Sequence, residues 1–104
     1  MNAAENIKTA AKNLSAAVRQ QMTLEKDRHV VKMAAISRIV SGGDNPLTGK
    51  PHSFSSAEAV VHTDAEYDAH VVKIIDATCD KLIAVGDYDA AVAEAQMGRS
   101  IKND

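Results

Sequence analysis

Tryptophan is absent from this chain, and aromatic residues amount to only 3% of it: Phe54, Tyr67 and Tyr88. So few rings leave no platform for stacking nucleic-acid bases. They also leave the core to Ala, Val, Ile, Leu and Met, the palette of packed helices. The one cysteine, Cys79, excludes an internal disulfide and suits a reducing compartment. No apolar run approaches the roughly 20 residues of a membrane span. The first residues are polar and lack the hydrophobic stretch of a secretory signal. Together these absences predict a cytoplasmic protein. An excess of positive charge is missing as well: the net charge is −2 and the pI about 6.0. Phosphate contacts dominate nucleic-acid affinity, so this balance argues against a dedicated DNA or RNA binder. Strand-like alternation, low-complexity tracts and internal repeats are not found.

What the chain does contain is helix. Its 104 residues suffice for a single domain, and a domain this small often leans on a partner for part of its core. Residues 3–41 carry neither Gly nor Pro, which predicts one helix of about ten turns. At 100° per residue, Ile7, Ala11, Leu14, Val18, Met22, His29, Met33, Ile36 and Val40 form one apolar stripe. Ala10, Ala17, Leu24, Val31, Ala35 and Ile39 form a second stripe beside it. Two stripes are more than one neighbouring helix covers.

Gly42 and Gly43 end that helix. Asp44-Asn45-Pro46-Leu47-Thr48-Gly49-Lys50-Pro51 reads as turn chemistry within a loop over 42–54. Ser55-Ser56-Ala57-Glu58 reads as a capping box opening a short helix over 55–62, and Thr63-Asp64-Ala65-Glu66 as a second box. The next helix is expected over 64–85, with Tyr67, Val71, Ile74, Ile75, Thr78, Cys79, Leu82 and Val85 on its apolar face. Gly86-Asp87 predicts a break before a short helix over 88–97. The stretch Leu82-Ile83-Ala84-Val85-Gly86-Asp87-Tyr88-Asp89-Ala90-Ala91-Val92 resembles the junction of the paired helices in one tetratricopeptide repeat. That resemblance covers about a dozen residues and implies a helix break at the same place. The expected fold is therefore all-α: a long N-terminal helix packed with a second main helix and short helices. It is a helical hairpin, completed as a four-helix-like bundle in a dimer.

Each motif with chemical content has a plainer reading beside it. The loop from Gly43 to Lys50 departs from a phosphate-binding loop. Five residues rather than four separate its glycines, Pro51 follows Lys50, and a helix precedes it where a strand should stand. His62, Glu66 and His70 have ligand-like spacing for zinc, yet the helix start at Thr63-Asp64 turns His62 away, so no metal is expected. Glu25 and His29 interrupt the main stripe as a polar pair, suited to setting register or self-association and less suited to acid–base chemistry. Lys8, Lys12, Arg19 and Lys26 fall within about 40° of one another and form a basic stripe. Cys79 reads as a small hydrophobe.

Charge is divided along the chain. Residues 1–41 hold seven basic and three acidic side chains, whereas residues 42–104 hold five basic and eleven acidic ones. These features predict a non-enzymatic interaction module without cofactor: an adaptor, accessory or inhibitor of the size a phage or mobile element encodes. Self-association is expected through Leu24, Val31 and Ile39 with Glu25 and His29. Contact with another protein is expected through Lys50, His52 and Phe54 in the loop. The alternative is a nucleic-acid accessory protein using the basic stripe with Lys50 and His52, followed by a small metal-dependent enzyme.

Overall fold

A computed structural model describes residues 2–103, with side chains for residues 2–98. Helix α1 spans Ala3–Ser41, α2 spans Phe54–Ala59, a 3₁₀ turn spans Val61–Thr63, and α3 spans Ala65–Asn103. No strand occurs among the described residues. The chain divides into two compact units. Unit 1 comprises Met1–Met22 and Asp76–Asp104, and unit 2 comprises Thr23–Ile75. Among the described residues no helix is long and apolar enough to cross a membrane.

Helix α1 begins where Asn2 caps it. The Asn2 carbonyl oxygen Oδ1 accepts the Glu5 backbone N–H at 2.8 Å, and Glu5 supplies an acidic first turn. With no Gly or Pro to interrupt the backbone ladder, α1 covers the span that the sequence predicts, continuous through Met22 to Asp27. It ends at Ser41 because Gly43 adopts φ +131°, open to glycine and strained for other residues. Beyond it the loop is tied to itself. Asn45 exchanges backbone contact with Lys50 (N to O, 2.7 Å), its side chain accepts the Leu47 N–H at 3.0 Å, and Gly49 turns back at φ +69°.

Three boundaries differ from the sequence reading. Ser53, not Ser55, caps α2: its side chain accepts the Ser56 N–H at 3.2 Å, so the helix starts at Phe54. The short helix also ends at Ala59, and residues 61–63 tighten into the 3₁₀ turn. Most consequentially, α3 passes through Gly86-Asp87 without a break, so the expected pair of helices over 64–85 and 88–97 is one helix of 39 residues. A mid-helix glycine costs only about 1 kcal/mol relative to alanine. Packing on either side of it, at Ala84 and Ala95, outweighs that penalty. The tetratricopeptide-like junction is therefore not a junction here.

In unit 2 the core gathers Ala35 and Ile36 of α1, Ala57 of α2, Val61 of the 3₁₀ turn and Tyr67 of α3, with Val31, Ile39 and Val71 against them. The entry to α3 is clamped. Asp64 Oδ1 accepts the Tyr67 N–H at 2.9 Å, capping the helix, while Arg38 donates from Nε and Nη2 to the two carboxylate oxygens at 2.9 and 2.8 Å. Arg38 Nη1 also pairs with Glu66 at 3.3 Å. The Arg38 guanidinium and the Tyr67 N–H hold the Asp64 carboxyl down at about 2. In unit 1, α1 and α3 meet at Ala10, Ala77, Ala84 and Ala95, all buried, and Gln21 Nε2 donates to Thr78 Oγ1 at 3.0 Å.

The alanine stripe corrects the expected face of α3. Tyr67 and Ile74 are buried, but Ile75, Cys79, Leu82 and Val85 lie on the exposed side. Small residues at 77, 84 and 95 let the helices approach closely, with Ile7, Leu14 and Val18 of α1 half-buried in unit 1. Bulk on α1 fills the space that alanine leaves, so the larger aliphatics of α3 need not turn inward.

Candidate interaction surface

The residues singled out in the sequence fall into three groups once they are placed. The first is absorbed by the chain itself. Leu24, Val31 and Ile39 are half-buried, and Val31 and Ile39 pack on the unit 2 core. The Leu24 carbonyl accepts a hydrogen bond from His70 Nε2 at 2.8 Å, which requires the proton on that nitrogen. His52 Nδ1 lies 3.0 Å from Ser56 Oγ at the start of α2, so its ring belongs to the capping network. Of the residues expected to self-associate, Val31 and Ile39 thus also serve the core of unit 2.

The second group is exposed and dispersed. Glu25 pairs with Arg28 at 3.7 Å on the surface, and His29 is exposed beside them. Arg28 in turn meets the Tyr67 side chain, which together with Glu25 raises its pKa. Lys8, Lys12, Arg19 and Lys26 are exposed along α1, and Lys50 and Phe54 are exposed at the loop. His62 stands in the 3₁₀ turn, Glu66 is engaged with Arg38, and His70 with Leu24. These three do not converge. Among the described residues no group of three or more His, Cys, Asp or Glu is placed to hold a metal ion.

The third group is an apolar face on the outside, where the sequence predicts core. In unit 1, Leu82, Ile83 and Met97 of α3 and Met22 of α1 are each between 62% and 65% exposed, and Cys79 is exposed among them. In unit 2, Val72 and Ile75 of α3 are also exposed. At 100° per residue Cys79, Leu82 and Met97 fall within about 60° of one another, so they share one face of α3. The side chains on this face are aliphatic apart from the Cys79 thiol. What it can do is associate, because apolar area removed from water favours contact. The usable sequence signal was the alanine spacing at 77, 84 and 91, which marks the close-packed side and so names the opposite one as free.

A shallower feature lies elsewhere in unit 1. Asn6, Thr9, Ala10 and Asn13 of α1 face Asp87, Ala90, Ala91 and Glu94 of α3 across an open cleft of about 310 Å³. Its walls mix alanine with amide, hydroxyl and two carboxylate side chains, none of them a buried charged group. Comparison of the chain with protein-family models, with curated proteins and with solved structures returns no match.

Proposed function

We propose that this protein is a non-enzymatic interaction module working as a homo-oligomer, in which two copies join through apolar helix faces and the assembly acts as adaptor or inhibitor toward another protein. The observation that carries the reading is the set of exposed large aliphatics in unit 1, Met22 on α1 and Leu82, Ile83 and Met97 on α3. Monomers keep large exposed apolar patches few, and the larger ones mark contact sites. A two-fold arrangement covers the same strip on both chains at once.

Light scattering with size-exclusion chromatography tests the reading. The expected mass across the micromolar range is twice the 11.1 kDa of one chain, and Leu82→Asp is expected to shift it toward one chain by placing a charge in the contact. A wild-type mass of one chain throughout that range overturns the proposal.

A further inference from the structure

We infer that the two copies pair α1 of one across α3 of the other, with the basic edge of α1 lying along the acidic edge of α3. This rests on the self-association proposed above and adds the arrangement and the residues that select it. The segment of α1 within unit 1 carries three basic residues and one acidic residue: Lys8, Lys12 and Arg19 against Glu5. The α3 segment through residue 98 carries five acidic residues and one basic: Asp76, Asp80, Asp87, Asp89 and Glu94 against Lys81. Apart from Lys81 all of these side chains are exposed. At 100° per residue Asp76, Asp80, Asp87 and Glu94 fall within about 40° of one another and border the strip of Cys79, Leu82, Ile83 and Met97. On α1, Lys8, Lys12 and Arg19 likewise border Ala11, Val18 and Met22.

The outward apolar face of α3 and the face of α1 that exposes Met22 therefore each have a charged edge, and the two edges are of opposite sign. Placing α3 on α3 brings no basic edge to the carboxylates, and α1 on α1 brings no acidic edge to the lysines. Only α1 across α3 joins apolar strip to apolar strip with opposite charges alongside. The ion pairs Arg28–Glu25, Lys32–Glu58 and Arg38 with Asp64 and Glu66 lie in unit 2, and Arg19 of unit 1 is itself engaged within the chain. Lys8, Lys12, Asp87 and Glu94 take part in none of them. A second copy of this chain brings both complementary edges with it, which selects it over other apolar partners as the occupant.

Charge reversal on the full chain tests the pairing, read by sedimentation equilibrium at low and high salt, with circular dichroism verifying that each variant keeps its helix content. Exposed pairs contribute modestly one by one, but a two-fold assembly uses each twice, so Lys8→Glu with Lys12→Glu is expected to weaken association about tenfold or more at low salt. Asp87→Lys with Glu94→Lys should weaken it to a similar extent. All four changes in one chain should restore it, because the opposite signs are again face to face. A wild-type dimer that neither double variant weakens, or that the fourfold variant fails to restore, overturns the pairing while leaving self-association standing. A wild-type monomer overturns both.

Discussion

At the scale of single residues, two positions have consequences that can be measured. Asp64 caps α3 and receives both prongs of Arg38. Its folded pKa of about 2 lies below the ordinary 3.8. A depressed carboxylate pKa stabilises the fold above the unfolded value, and that contribution is lost as pH falls through the folded one. Wild-type stability should therefore drop between about pH 4 and pH 2 by more than that of Asp64→Asn, which has no charge there to neutralise. Thermal melts of both proteins over this window check the difference in slope; parallel curves would dissociate Asp64 from acid sensitivity. Ile36 is only 2% exposed, in the unit 2 core between α1, α2 and the 3₁₀ turn. Ile36→Ala removes buried methyl groups and leaves a cavity, and is expected to cost about 2–4 kcal/mol in urea unfolding.

At the scale of elements, glycine and serine positions distinguish what was legible from what was not. The span of α1 could be read directly, because a run of 39 residues without Gly or Pro leaves the backbone few alternatives. The helix break that Gly86 predicts is absent because a local glycine signal is weaker than the packing of the helix on either side of it. The Cβ that alanine would add there meets nothing within 4 Å, and Gly86 is not among the glycines at positive φ. Gly86→Ala is therefore expected to raise stability by about 0.5–1 kcal/mol. A helix-ending glycine would give the opposite sign, as expected at Gly42, where an added Cβ would come within 2.8 Å of the Arg38 carbonyl oxygen. The caps of α2 separate in the same way. Ser53→Ala should cost about 1 kcal/mol and Ser55→Ala close to nothing, since Ser53 receives the Ser56 N–H. Spacing alone offered Ser55 with Glu58 as an equally good box. Only the fold, with the Lys32–Glu58 contact drawing Glu58 toward α1, shows that Glu58 serves elsewhere. The outward strip was illegible for a related reason. Hydropathy ranks Leu82 and Ile75 above Ala77 and Ala84 as core residues, whereas close helix packing selects by size.

At the scale of the whole molecule, the surface that joins two copies and the surface that holds one copy together can be told apart with a pair of substitutions. Leu24 is half-buried in unit 2, and its carbonyl receives His70. Leu82 is 62% exposed in unit 1. An aspartate at 24 places an ionised carboxylate where apolar contact is needed, which costs roughly 1–3 kcal/mol of folding stability when no partner group is provided. An aspartate at 82 stays in water in the isolated chain, so it should leave the stability of the single chain almost unchanged and act only on association. The two variants should therefore move different observables. Urea unfolding of dilute protein should separate Leu24→Asp from wild type and leave Leu82→Asp close to it. Light scattering on concentrated protein below the unfolding range should show the reduced mass for Leu82→Asp. If instead Leu24→Asp is as stable as wild type and is the variant that lowers the mass, the contact lies along Leu24, Val31 and Ile39 of α1 and the outward strip of α3 has another use. The discriminating quantity is the protein concentration at which each effect appears: a folding defect persists at any dilution, whereas an association defect vanishes once the wild type is itself dissociated.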